Sequence, residues 1–132
     1  MTAFDTLPLP TEPTIIAPDG SDVRVLLQLS GGSMAHFELA AGRASLAIKH
    51  RTVEEIWFIL QGEGTMWRKQ DEREEVVTLT PGICITIPLG THFQFRASES
   101  TALSAVGITM PPWPGADEAI PVPAKWTDVP VN

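Results

Sequence analysis

Two stretches of the sequence decide the fold. Residues 42–64 read GRASLAIKHRTVEEIWFILQGEG, and residues 81–96 read PGICITIPLGTHFQFR. In both, short apolar runs lie between glycines or prolines, which is typical of strands joined by tight turns. The run from Glu55 to Leu60 is strongly apolar, and the run from Ile83 to Ile87 is rich in β-branched residues, which favour strands. Both stretches therefore predict β-strands.

The rest of the middle of the chain follows the same pattern. The turn sequence Pro18-Asp19-Gly20 precedes residues 23–29, in which apolar and polar residues alternate as in a half-buried strand. Further apolar runs recur about every 8 to 12 residues, the spacing found in β-sandwiches and jelly rolls. We therefore predict one all-β domain over residues 23–110.

The two ends of the chain are rich in proline, which forbids regular helix and central strands. We predict an extended N-terminal arm over residues 1–22 and a C-terminal arm over residues 111–132. Trp113 and Trp126 lie in the second segment, and such side chains favour an arm that packs on the barrel or on a partner subunit. The alternative is a disordered, solubilising tail.

Composition narrows the class of partner. The chain has 132 residues, a net charge of -7 and one cysteine. The negative charge and the absence of basic runs argue against nucleic acid or an anionic membrane as partner. The N-terminus lacks the pattern of a signal peptide, and Cys84 has no partner for an internal disulfide. We therefore expect a cytoplasmic protein.

The two stretches resemble the signature motifs of the cupin superfamily, whose small barrels often hold a metal ion. The cupin pattern has two histidines and a glutamate in its first motif and a third histidine in its second. In this sequence His50 and Glu55 occupy two of these positions, whereas Ile48 and Phe93 occupy the other two. The resemblance implies a double-stranded β-helix, or jelly-roll barrel, and the complete predicted fold is such a barrel with proline-rich terminal arms.

Strand alternation predicts which side chains share the barrel interior. If His50 and Glu55 face inward, an apolar and aromatic pocket surrounds one imidazole and one carboxylate. The predicted lining residues are Leu46, Ile48, Trp57, Phe93 and Phe95. The leading hypothesis is a small single-domain cupin that binds a small organic molecule in this pocket, with a degenerate metal site.

Two alternatives involve chemistry at the same residues. In the first, a divalent transition metal (Fe, Mn, Ni or Zn) is held by His50, Glu55 and His92, provided that a bulge re-aims His92. In the second, His50 and Glu55 act without metal as the acid–base pair of an epimerase-like or isomerase-like enzyme. The resemblance also implies a homodimer, because the outward-facing Phe58 and Leu60 offer apolar area for a two-fold contact.

Overall fold

The computed structural model describes residues 1–131, and within this range its regular secondary structure consists of strands and one short 3-10 turn. The strands are β1 (Ile15–Ile16), β2 (Asp22–Leu29), β3 (Gly32–Leu39), β4 (Ile48–His50), β5 (Glu54–Gln61), β6 (Gly64–Gln70), β7 (Arg73–Leu79), β8 (Cys84–Ile87), β9 (His92–Ala97), β10 (Leu103–Met110) and β11 (Ala119–Pro121). A 3-10 turn covers Ala116–Glu118. The prediction of an all-β fold is confirmed.

The strands form two antiparallel sheets that face each other as a jelly-roll barrel. One sheet has the order β1-β2-β3-β10-β5-β8, and the other has the order β11-β4-β9-β6-β7. Consecutive motif strands β4 and β5 lie in different sheets. The first sequence motif therefore contributes side chains to both walls of the space between the sheets.

Strand β5 shows why the sheets enclose a core. Its burial alternates strictly from Glu54 to Leu60. Trp57 and Ile59 are fully buried, whereas Phe58 and Leu60 on the opposite face are exposed by 43% and 39%. Burying one such apolar side chain stabilises the fold by roughly 1.5–3 kcal/mol, so this alternation fixes the face that β5 turns inward.

The bend between β5 and β6 depends on glycine. Gly62 has a φ of 85°, a conformation that other residues adopt only with strain. A Cβ at this position would also lie 1.8 Å from the carbonyl oxygen of Ala102. No side chain fits there, and the close approach lets the chain leave one sheet and enter the other.

The terminal segments contain strands of their own. β1 lies inside the predicted N-terminal arm and pairs with β2, and β11 lies inside the predicted C-terminal arm and pairs with β4. The buried Gln94 amide holds the segment after β11: it donates to the carbonyls of Ser45 and Trp126 and accepts from the amides of Lys125 and Trp126. The last residue of the predicted arm, 132, lies outside the described residues.

Within residues 1–131, no helix has the length and apolar character needed to cross a membrane.

Candidate functional site

A cavity of about 140 Å³ lies between the two sheets. Strands of both sheets contribute to its wall, and the segment that follows β10 contributes one more side chain. The apolar and aromatic part of the wall includes Phe37, Ile48, Trp57, Phe93 and Trp113. The polar part includes Asp19, Ser33, His50, Glu55 and Thr109.

The register of β4 against β9 sets one side of the cavity. Ile48 is the cross-strand partner of Phe93, and His50 follows two residues later on the same face. The ring of His50 lies edge-on to that of Phe93, with 5.2 Å between the centroids. This pairing seats the imidazole against an aromatic surface.

His50 and Glu55 meet across the gap between the sheets. The Nε2 atom of His50 lies 3.4 Å from Oε1 of Glu55, and both side chains are 4% exposed. The indole N–H of Trp57 donates a hydrogen bond to the other carboxyl oxygen of Glu55. Trp57 in turn stacks on Phe37 at a centroid distance of 4.9 Å. The carboxyl group is therefore oriented by a tryptophan that is itself fixed by packing.

Burial shifts the pKa values of His50 and Glu55 in the directions that favour their neutral forms. Desolvation lowers the pKa of His50 to about 4, against a weaker opposing effect of Glu118. Desolvation also raises the pKa of Glu55 to about 7, although the hydrogen bond from Trp57 opposes the shift. The pair therefore combines a neutral imidazole with a carboxyl group that exchanges its proton near neutral pH. The Nδ1 atom of His50 is buried and lacks a hydrogen-bond partner among the described residues.

Trp113 closes the cavity on the side of His50. Its ring lies edge-on to the imidazole at 5.3 Å between centroids, and its backbone N–H donates to Ser33 Oγ at 2.9 Å. Further along, the carboxylate of Glu118 accepts hydrogen bonds from the backbone amides of Thr52 and Val53 and from the Thr52 hydroxyl. These contacts fasten residues 111–121 to the loop between β4 and β5.

A second carboxyl group, that of Asp19, also borders the cavity. Its Oδ1 atom accepts hydrogen bonds from the backbone amide of Ser21 at 2.9 Å and from its hydroxyl at 2.6 Å. Burial nevertheless raises the pKa of Asp19, because desolvation outweighs these hydrogen bonds. Sequence reasoning assigned Asp19 only to a turn, and Trp113 only to an arm, so it missed both as parts of the cavity wall.

The structure brings five of the predicted pocket residues together in the wall: Ile48, His50, Glu55, Trp57 and Phe93. Phe95, also expected in the wall, lies outside it in the adjoining core, where it contacts Trp57 edge-on with 4.9 Å between the centroids. The expectation for Leu46 is wrong, because this side chain is 45% exposed and outside the cavity wall. Strand β4 begins only at Ile48, so alternation does not extend back to Leu46.

The residues present do not fit a metal ion. His92 precedes Phe93 on β9 and points away from the cavity wall, which contains Phe93 instead. His36 lies on β3 between the two wall residues Ala35 and Phe37, and therefore on the opposite face. Among residues 1–131, no three His, Cys, Asp or Glu side chains are grouped so as to hold a metal. His50 and Glu55 alone leave a catalytic site one protein ligand short.

The fold and the site together define a small jelly-roll barrel with an internal, mostly apolar cavity. A family model described as the cupin domain matches residues 35–109, and the chain belongs to this family. A comparison with curated proteins finds no match.

Several solved structures share the fold at low sequence identity. Streptomyces PAC13, in a structure with uridine, is 15% identical with a TM-score of 0.70, and the match covers 96% of this chain and 99% of that one. Ectoine synthase from P. lautus is 22% identical with a TM-score of 0.63, over 82% of this chain and 80% of that one. Staphylococcus aureus CapF is 13% identical with a TM-score of 0.72 over 90% of this chain, which spans only 35% of the CapF chain.

Proposed function

We propose that this chain is a small, cytoplasmic single-domain cupin whose barrel cavity binds a small organic molecule without a complete metal site. The observation that carries the proposal is the position of Ile48 and Phe93 in the cavity wall. Neither side chain has a lone pair for a metal, and both extend the apolar surface that a ligand can contact. A concave, mostly apolar wall with a few convergent polar groups is characteristic of small-molecule sites.

The fold comparisons support an organic ligand in a barrel of this length. Streptomyces PAC13, which is similar over nearly the whole of both chains, is known in a structure with uridine. The cavity of this chain is about 140 Å³, close to the roughly 150 Å³ at which an engineered apolar cavity binds benzene. The expected ligand is therefore a molecule of about one ring.

A thermal-shift screen of small organic molecules, followed by calorimetry on each hit, tests the proposal. A ligand at about 100 times its Kd stabilises the protein by about 2.7 kcal/mol. Ala35 borders the cavity, so Ala35→Leu is expected to fill it and abolish binding. Ala102 is exposed, and Ala102→Leu is the matched control that should keep binding. If every hit stabilises the Ala35→Leu protein as much as the wild type, the ligand does not enter the cavity and the proposal fails.

A second candidate function is metal-free acid–base catalysis by His50 and Glu55. It is favoured by their 3.4 Å separation and by the neutral imidazole that burial produces. A general base must lie within reach of the proton that it removes, and a carboxyl group with a pKa near 7 can return one. The two residues could then move a proton away from a carbon next to a carbonyl group and back again.

Solvent exchange tests this second candidate without knowledge of the substrate. Cyclohexanone is incubated with the protein in D₂O, and loss of its α-proton signal is followed by NMR. Acid–base catalysis predicts exchange faster than in buffer, lost in His50→Gln and kept in His92→Gln. Equal exchange in the wild type and in a folded His50→Gln protein would count against this candidate.

We also propose that two copies of the chain form a homodimer through the outer face of the six-stranded sheet. On β5 this face presents Ile56, Phe58 and Leu60, which are exposed by 46%, 43% and 39%. A contiguous apolar surface of this kind marks an interaction site, and an isologous contact uses the same patch on both subunits. Light scattering at micromolar concentration should give twice the monomer mass for the wild type and for Val76→Glu, and the monomer mass for Phe58→Glu. A monomeric wild type would overturn this proposal.

A further inference from the structure

The cavity wall has an unusual balance of charge. It contains the carboxyl groups of Asp19 and Glu55 but, over residues 1–131, no lysine or arginine. An anionic ligand would thus enter a site that offers no cationic partner. Transfer of an unpaired carboxylate from water into an apolar cavity is strongly unfavourable, and the net charge of -7 adds long-range repulsion.

The two carboxyl groups do not make the cavity a site for cations either. Oδ1 of Asp19 already accepts two hydrogen bonds from Ser21. In Glu55, one oxygen accepts from the Trp57 indole and the other faces Nε2 of His50. A cationic ligand would have to lose its hydration shell and then compete with protein groups for these oxygens.

The rest of the wall suits the faces and edges of a ring. Phe37 and Trp57 form a stacked pair, with planes inclined by 14°. The rings of Phe93 and Trp113 each make an edge-on contact with His50. Aromatic surfaces favour offset or edge contacts with a further ring. The hydroxyl groups of Ser33 and Thr109, which are hydrogen-bonded to each other, are the neutral polar groups in the wall that a small polar substituent on such a ring could contact.

We infer that the cavity selects an uncharged molecule of one ring with a single small polar substituent, and that it rejects a carboxylate of the same shape. The inference rests on the proposed binding function, to which it adds the class of ligand. The selectivity arises from the wall itself, because most of its side chains are apolar and its two acidic groups already contact protein groups: Asp19 accepts hydrogen bonds from Ser21, and Glu55 contacts Trp57 and His50.

Three probes of similar shape test the inference by calorimetry at neutral pH. Benzamide is uncharged, benzoate is its anionic counterpart and benzylamine is a cation. We expect benzamide to bind with a Kd at least about tenfold lower than that of either charged probe. Its binding should be lost in Ala35→Leu and kept in Ala102→Leu.

Each outcome separates this inference from the function on which it rests. If benzoate or benzylamine binds in the cavity as tightly as benzamide, the selectivity is wrong and the binding function stands. If none of the three binds, the inference is also wrong. The proposed function then depends on the wider screen: it stands if some molecule binds the wild type and not Ala35→Leu, and it fails otherwise. Only tighter binding of benzamide, abolished by Ala35→Leu, supports both.

Discussion

Ile48 in β4 and Phe93 in β9 are direct cross-strand partners. Both side chains are buried, with 4% and 1% exposed, and both belong to the cavity wall. These are the two positions at which the cupin pattern has histidine and this sequence does not. The contact between them puts an apolar surface where two metal-binding imidazoles would otherwise meet His50 and Glu55.

Restoring both histidines should therefore create a metal site. In Ile48→His combined with Phe93→His, three imidazoles and the Glu55 carboxyl group would face the same space, which is a sufficient set for a divalent transition metal. Elemental analysis of protein purified without an affinity tag should find near-stoichiometric metal in this variant and much less in the wild type.

Two further variants show whether the restored imidazoles are responsible. Adding His50→Ala to the double variant should remove the metal. Ile48→Asn combined with Phe93→Asn supplies polar side chains without imidazoles and should not gain it. A folded double-histidine variant with no more metal than the wild type would show that the wall positions do not converge as the register implies.

The opposite pKa shifts of His50 and Glu55 predict opposite effects of pH on stability. The folded-state pKa of His50, about 4, lies below its ordinary value of 6.5. Between these values the unfolded chain binds more protons, so the contribution of His50 to the free energy of unfolding rises with pH. The folded-state pKa of Glu55, about 7, lies above its ordinary value of 4.5. Its contribution therefore falls as pH rises from 4.5 to 7.

In the wild type the two contributions largely cancel where these ranges overlap, and single variants should separate them. The stability of the wild type minus that of His50→Gln should rise with pH, and the corresponding difference for Glu55→Gln should fall, each by on the order of 1 kcal/mol per pH unit. Urea titrations over this pH range measure both differences. Glu54→Gln, at the exposed neighbour of Glu55, is the matched control for removal of a carboxylate. Slopes of the same sign for the two buried residues would contradict the prediction.

Local alternation was enough to predict part of the site. In β5 the inward face of Glu55 and Trp57 follows directly from a period of two. In β9 the same rule places Phe93 rather than His92 inward when the turn at Gly90 adds no extra residue. Alternation within short strands, each bounded by glycine or proline, was therefore enough to predict that Ile48 and His50 line the same cavity as Glu55, Trp57 and Phe93.

The other parts of the wall depend on contacts that no local pattern records. Trp113 reaches His50 because β11 pairs with β4 and returns the chain to the barrel. Asp19 is in the wall because the turn before β2 packs against the segment before β4. In this contact the backbone amide of Leu46 donates a hydrogen bond to the backbone carbonyl of Asp19. That same contact holds Leu46 outside a regular strand, which is why extrapolating the alternation of β4 to this residue gave the wrong face.

The backbone of Gly107 lies in close contact with the aromatic side chains of the cavity wall. It lies opposite Trp57 in β10, and a Cβ at this position would come within 2.6 Å of Phe37 and 3.0 Å of Trp57. Gly107→Ala should therefore push apart the stacked pair that orients Glu55, at a cost of about 1–3 kcal/mol in the free energy of unfolding. Gly31→Ala adds the same methyl group where nothing lies within 4 Å and should change stability by less than about 0.5 kcal/mol. Urea titrations compare the two, and equal stabilities would mean that the stack has room to adjust.

Glu118 is expected to fasten the Trp113 segment over the cavity. Burial opposes its ionisation, but hydrogen bonds from Thr52 and Val53, together with the nearby His50, outweigh this effect and lower its pKa. Glu118→Ala would leave three donors without their acceptor, at a cost of about 2–3 kcal/mol at neutral pH. Because the folded-state pKa is depressed, the stabilisation is present above about pH 4.5 and is lost as pH falls through the folded-state value. The difference in unfolding free energy between the wild type and Glu118→Ala should thus shrink in acid.

The exposed neighbour Asp117 supplies the matched control for Glu118. Asp117→Ala should leave stability within about 0.5 kcal/mol of the wild type, because it removes no buried acceptor. Binding of a cavity ligand gives a second readout: Glu118→Ala should weaken it, since Trp113 would lose its fixed edge-on position against His50, whereas Asp117→Ala should not. The prediction fails if the Glu118→Ala protein binds the ligand normally and is destabilised equally at neutral and acid pH. Glu118 would then stabilise only the loop between β4 and β5. Trp113 would be held over the cavity by Ser33 and by the β11–β4 pairing.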